Sequence, residues 1–427
     1  MTHGTVRNVP KSGTATRGYL PAMDGLRGLA AAMVFTIHLA GWTGVAFDPD
    51  GKGPLATLIN RFGVSVYIFF VISGYLLFRP FAAAALDGRR APDMTSYYRH
   101  RFLRIYPAFW VLALLSVLFF HPSLAEEPTR LLRVLTLQHT YAEGDFPHTP
   151  QWPWSTFSQT WSLATEIGFY LLLPLLALLF RRLLTGGRGL GPALAGFALL
   201  EAVNVVWWAS LWASADTAAH PTRWWWLPGY IGFFAAGMAL ATVSVYVARQ
   251  PGEPPVVVRF VVRRPWLCWA AALAAYSVIS TPLAGGHMEP PTPRTALVEH
   301  FGYLVVSLGL ALPLALAPGS GPERLLSARV MAWLGRISYG IFLWHMFVMA
   351  AALRIAGWGW GEPGMKGFLL LFPVTAAGTV LLGWLSYVLI ERPLQRRFRR
   401  RGRPSDRTDR ADTAGTNAGR GAPDTGD

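Results

Sequence analysis

Ten runs of predominantly apolar residues recur along this chain of 427 residues. Each is close to the ~20 residues that a helix needs to cross the ~30 Å hydrocarbon core of a bilayer. They fall at roughly 28–46, 63–81, 104–121, 162–180, 190–213, 225–247, 265–283, 297–317, 332–353 and 367–390. The expected fold is therefore all-α: a polytopic membrane helix bundle of about ten transmembrane helices. Composition agrees, because only 14% of the residues are charged, against about 25% in soluble domains. Cys268 is the only cysteine, which excludes an internal disulfide, an iron–sulfur cluster and a multi-cysteine zinc site. Residues 1–19 are polar and lack the short apolar core of a cleavable signal peptide, so the first span is expected to act as its own insertion signal.

Regular alternation of ten spans sorts the connections onto two sides. One side takes the N-terminus, the loops near 82–103, 181–189, 248–264 and 318–331, and the C-terminal tail; it carries thirty of the 38 Lys and Arg residues, leaving eight for the other. By the positive-inside rule both termini are cytoplasmic. The net charge of +15 thus reads as a topology signal with the lipid bilayer as partner, and no nucleic-acid partner is expected. Three regions follow: a disordered cytoplasmic N-terminus over 1–19, a transmembrane domain over 20–393, and an Arg-rich disordered cytoplasmic tail over 394–427. The outer segment over 122–161, with His139, His148, Trp152 and Trp154, is long for a connector. It is either a cap over an outward-facing site or an interfacial aromatic stretch. Trp224, Trp225 and Trp226 read as part of an aromatic belt at the membrane interface.

Ionisable residues inside a membrane span are costly and mark function. The first span, RGLAAAMVFTIHLAGW, holds Arg27 and His38. Eleven residues at about 1.5 Å each put His38 roughly 16 Å above Arg27, slightly past the midplane, and nearly three full turns put both on one face. Asp24 falls near the same stripe. Glu166 in the fourth span, Ser73 in the second and His345 in the ninth come to similar heights in the outer half. Against these stand plainer roles: interhelical hydrogen bonding for His38, Glu166 and His345, and close helix packing for Ser73 with Gly74. Glu201 and Asn204 are also deep, and structural pairing suits them better. On the cytoplasmic side YYRHRFLRIYP presents Arg99, Arg101 and Arg104, with Arg79 shortly before. Arg101 and Arg104 share a helix face if the helix has begun. Guanidinium groups suit phosphate, although without further context ordinary positive-inside charge is the better account of them.

Six segments, in order, supply that context: MDGLRGLAAAMVFTIH, FGVSVYIFFVISGYLL, RHRFLRIYP, QTWSLATEIGFYLLLP, LGRISYGIFLWH and IERP. Together they resemble the acyltransferase 3 family, bacterial integral-membrane enzymes that O-acylate carbohydrates and related acceptors, from about Leu20 to Pro393. The resemblance implies that Arg27 and His38 correspond to the family's Arg-x10-His pair, needed for transfer. It implies that Arg101 and Arg104 belong to the cytoplasmic basic motif associated with the acyl-CoA donor, and that Glu166 is the acid of the Trp-Ser-Leu motif. The second acid of that motif is replaced by Ile167. Acyl-CoA is then a co-substrate, with no bound cofactor and no metal. A fused extracytoplasmic hydrolase-like domain, carried by some relatives, is not expected here.

The implied reaction moves an acyl group from cytoplasmic acyl-CoA to a hydroxyl of a surface polysaccharide, glycolipid or glycosylated metabolite. His38 serves as general base or as an acylated nucleophile. Asp24 lies too near the inner end to tune it, whereas Glu166 is closer in depth; Arg27, Arg101 and Arg104 hold the donor, and Asp24, Ser73 and His345 are possible supporting residues. The rival class is a transporter that uses His38 and Glu166 to couple protons or solute, but no inverted repeat relates the two halves. No Gly-x-Ser-x-Gly elbow or His-Glu-x-x-His signature occurs. Arg (35) far outnumbers Lys (3), and with abundant Ala and Gly this suggests a GC-rich bacterial source and hence the bacterial cytoplasmic membrane.

Overall fold

The computed structural model describes residues 20–46, 54–142, 156–185, 189–213, 221–250, 252–285 and 292–401. Residues 1–19 and 402–427, with the outer-segment residues His148, Trp152 and Trp154, lie outside the described residues. Among the described residues there is no strand, and ten helices of fifteen or more residues follow one another. They are α1 (Pro21–Trp42), α2 (Val64–Leu86), α3 (Met94–Phe119), α4 (Thr160–Thr185) and α5 (Gly191–Ala213). The second half contributes α6 (Ile231–Val247), α7 (Pro265–Ile279), α8 (Pro293–Leu316), α9 (Ser338–Ala356) and α10 (Gly364–Ser386). Each overlaps one of the apolar runs. Seven are both long and apolar enough to cross a membrane, while α6 and α7 are apolar but shorter. In α1, Arg27 and His38 lower the apolar average. The chain is an all-α, multi-pass membrane protein.

Two boundaries differ from the hydropathy reading. Helix α3 starts at Met94, ten residues before the apolar run, because Asp93 caps it by accepting from the Ser96 amide at 2.6 Å. The segment carrying Arg99, Arg101 and Arg104 is therefore helical throughout. At the other end α10 passes through a π-turn over Tyr387–Glu391 into a helix over Arg392–Arg401. The segment expected to be disordered from residue 394 thus begins as helix. Extending an existing helix avoids the nucleation cost that would keep so charged a segment unfolded alone.

The bundle is drawn together at glycines. A Cβ on Gly74 of α2 would run into the Phe234 carbonyl of α6, and one on Gly237 of α6 into the Val71 carbonyl of α2. Without a hydrophobic driving force between helices in lipid, such close backbone approach and its dispersion contacts supply the association. Helix α1 packs on α2, on α9 and on the short helix Arg329–Arg336. There a Cβ on Gly335 would meet the Asp24 carbonyl. Helices α9 and α10 meet similarly through Gly340 and Gly383. The element that carries Arg27 and His38 is thereby held on three sides.

A valine at Gly74 should cost about 1–3 kcal/mol or more by overpacking. It should lower the thermal unfolding midpoint of the detergent-solubilised protein. Gly191→Ala, where a Cβ meets open space, should leave that midpoint within a degree or two.

Candidate active site

Two cavities lie one after the other along α1. The first is lined by Arg27 from α1, Ser73 from α2, Arg104 from α3, and Glu166 and Tyr170 from α4. Glu166 Oε1 accepts hydrogen bonds from the Ser73 hydroxyl and the Tyr170 hydroxyl, both at 2.6 Å. Two donors on one oxygen fix the carboxylate in place. The Arg101 guanidinium lies 5.7 Å from the centre of the Tyr170 ring, within cation–π range. Two arginines and one carboxylate line the cavity, and Asp24 and Glu391 lie near enough to interact with the arginines; guanidinium groups in such a wall suit an anionic ligand.

The second cavity, of about 260 Å³, is lined by His38 together with Asn60, Gln159, Trp161, Glu299 and Tyr303, among others. Val66, Ser162 and Phe342 line both cavities, so the two share a wall.

His38 stands beside that wall with a second histidine. His38 Nδ1 and His345 Nε2 are 3.0 Å apart, and the ring centres are 4.9 Å apart. On its far side His345 Nδ1 lies 2.7 Å from the Phe342 carbonyl oxygen. A carbonyl can only accept, so His345 Nδ1 carries a proton, and in neutral His345 the Nε2 lone pair faces His38. His38 Nδ1 must then donate across the pair. In that arrangement the lone pair of neutral His38 is on Nε2.

Several sequence-derived candidates converge. Arg27, Ser73, Arg104 and Glu166 surround one cavity, with Arg101 adjoining through Tyr170, while His38 and His345 are in contact. Ser73 and Gly74, expected to act together in packing, divide the work: Gly74 packs on α6 and Ser73 holds Glu166. Glu166, expected from depth to tune His38, bonds Ser73 and Tyr170 in the first cavity, whereas His38 lines the second and pairs with His345. Depth along a helix says nothing about which way a side chain faces in the membrane plane, and that is the coordinate the expectation lacked. Asp24 lines neither cavity. It sits in the first turn of α1, where a carboxylate favours the helix dipole. Glu201 does pair structurally: its Oε1 lies 2.5 Å from His300 Nε2, and Asn204 donates to the Gly229 carbonyl at 2.9 Å. His139 of the outer segment is buried, 2.9 Å from the Thr160 hydroxyl at the start of α4.

Sequence reasoning missed Tyr170 and Glu299. Tyr170 lay one turn from Glu166, at the i+4 position that places two side chains on one face. Glu299 offered only its depth in the eighth span.

A polytopic helical bundle with a paired histidine between a basic cavity and an aromatic one defines a membrane enzyme-like site. The chain belongs to the acyltransferase 3 family, whose model, described as an acyltransferase domain, matches residues 20–388. It is 25% identical over 405 residues to the peptidoglycan O-acetyltransferase OatA of Listeria monocytogenes, covering 89% of this chain and 56% of that one. It is 28% identical over 411 residues to the acyltransferase MdmB of Streptomyces mycarofaciens, covering 90% and 93% respectively. A putatively named peptidoglycan O-acetyltransferase of Bacillus subtilis, YrhL, is 24% identical, covering 88% of this chain and 55% of that one. The chain therefore spans a little over half the length of the two peptidoglycan relatives. No solved structure matches it.

The histidine pairing predicts a spectroscopic outcome. In ¹⁵N-histidine-labelled protein, the signals that vanish in His38→Ala and in His345→Ala should both report protonated Nδ1 and bare Nε2. In His345→Ala the His38 signal should move toward the other tautomer or toward exchange between the two.

Proposed function

We propose that this protein is a membrane O-acyltransferase that moves an acyl group from acyl-CoA on the cytoplasmic side to a hydroxyl of a carbohydrate-containing acceptor. The observation that carries the reading is the His38–His345 pair beside the wall between a basic cavity and an aromatic one. The family and the relatives' printed activities support acyl transfer; the charge distribution supports cytoplasmic termini in a bacterial plasma membrane, with the Arg27 end of α1 facing inward.

In this reading the phosphates of the donor approach Arg27, Arg101 and Arg104, and the pantetheine arm brings the thioester to the wall at Val66, Ser162 and Phe342. The acceptor hydroxyl enters the second cavity. His38 Nε2 removes its proton as the oxygen attacks the thioester carbon; the C–S bond then breaks, and the proton held on His38 passes to the departing thiolate. Each proton and electron pair is accounted for, with an acyl ester and free CoA as products. His345 acts as a positioning residue: it keeps the Nδ1 proton in place and so presents Nε2 as the base. It also accepts a stronger hydrogen bond from Nδ1–H once His38 becomes cationic. Glu166 holds Ser73 and Tyr170 beneath the thioester path and partly balances the arginines.

His38→Ala should lower kcat for acyl transfer by roughly 10²–10⁴-fold while the protein still inserts and binds donor. Unimpaired transfer by that variant overturns the base assignment. His345→Ala should fall by about 10²-fold in kcat with little change in KM. His345→Gln, whose carboxamide oxygen can accept from His38 Nδ1–H, should recover much of the loss. Arg104→Ala should instead raise the KM for acyl-CoA, by roughly tenfold for one charge-assisted hydrogen bond.

A further inference from the structure

Glu299 is the one charged side chain among the described residues that line the His38 cavity. Its Oε1 is 3.2 Å from Arg61 Nη1, and the Arg61 side chain is only 6% exposed against 31% for Glu299. Arg61 does not face an incoming ligand. Its Nη2 donates to the carbonyls of Ala284, at 3.3 Å, and Gly285. Three of the five guanidinium N–H groups are engaged, and its charge offsets that of Glu299, which also accepts from the Tyr303 hydroxyl and stays 31% exposed.

The rest of the cavity is aromatic and amide-bearing. Trp161 and Trp225 have ring centres 4.4 Å apart, and Tyr67 and Tyr303 rings are 4.7 Å apart. Gln159 spends its Nε2 on the carbonyls of Thr156 and Leu343, both at 3.1 Å, so it acts as part of the wall. Flat aromatic faces with a few convergent polar groups suit a ring that is apolar on its C–H face and hydroxylated at its edge. An anionic ring would meet a carboxylate with no uncommitted cation beside it. A cationic one would compete with Arg61 for a carboxylate already ion-paired.

We propose that this cavity is an acceptor subsite for an uncharged, hydroxyl-bearing ring of the neutral-pyranose class. Glu299 is its specificity-determining hydrogen-bond acceptor and Arg61 the buried residue that positions Glu299. The proposal rests on the acyl-transfer reading and adds the class of ring that is acylated. Glu299 orients the ring by accepting from a hydroxyl other than the reacting one, which turns the reacting hydroxyl toward His38 Nε2. Like-charge repulsion and an unpaired buried group reject wrong partners more strongly than a lost apolar contact does.

The test uses the full chain in lipid nanodiscs, with acetyl-CoA as donor and three probe acceptors: a neutral methyl hexopyranoside, a methyl hexuronoside and a methyl aminodeoxyhexoside. Ester formation is followed by mass spectrometry. The neutral glycoside should be acetylated with kcat/KM at least roughly tenfold above either charged probe, the factor expected for one hydrogen bond to a charged group. Glu299→Gln should raise the KM for the neutral glycoside by a similar factor, far more than it changes the KM for acetyl-CoA. Arg61→Met should raise it too, without the arginine touching substrate, and Glu299→Asp should recover part of the affinity only where Arg61 is present. The assignment is overturned if the uronoside or the amino sugar is preferred, if Glu299→Gln leaves the glycoside KM unchanged, or if none of the three is acetylated by protein that still cleaves the thioester. Failure of the underlying reading has a different signature: full transfer by His38→Ala, or no thioester cleavage by the wild-type protein with any acceptor.

Discussion

A polar side chain buried in a helix bundle is costly unless another part of the bundle partners it, and the hydrogen bond between His38 and His345 meets that demand for two imidazoles at once. An imidazole buried among helices needs a fixed partner at one nitrogen before the other can have a defined role. The Phe342 carbonyl sets the proton on His345, His345 sets it on His38, and His38 is left with one lone pair to use. The order of that chain follows from what a carbonyl can and cannot do. It requires α1 and α9 to stay in register, and the glycines that seat α1 on its neighbours and α9 on α10 provide that register. Packing and protonation state are thus two aspects of one constraint.

The fold was largely legible in the residues. Each of the ten apolar runs overlaps a helix of fifteen or more residues, and seven of those are long and apolar enough to cross a membrane. Arg27 and His38, three turns apart on one helix, each line one of the two cavities. What sequence could not supply was azimuth between helices. Glu166 and His38 were expected at similar depth and yet line different cavities, while His345, on another helix, is the one in contact with His38. Boundaries failed where polar residues extend helices: Asp93 starts α3 early, and the arginines after Glu391 remain helical because α10 delivers them already coiled.

The two cavities differ in character in a way that matches the division of labour proposed for them. Arg27 and Arg104 make the first one basic, and the pair formed by Glu299 and Arg61 leaves the second close to neutral. Glu166 and Glu299 are both tethered by hydroxyl donors, and Glu299 is held by a buried guanidinium as well. The added guanidinium cancels the charge of Glu299, whereas that of Glu166 is left to offset the nearby arginines.

The wall shared by Val66, Ser162 and Phe342 bears on the membrane as an electrical insulator. Polar cavities that reach toward each other from opposite ends of α1 shorten the apolar distance that separates two aqueous compartments, and a continuous file of water through them would conduct protons. Val66 and Phe342 offer such a file no partners, and the Ser162 hydroxyl already donates to the Gln159 carbonyl. The same few side chains that let two substrates meet would therefore keep the bilayer's ion gradients from short-circuiting through the enzyme.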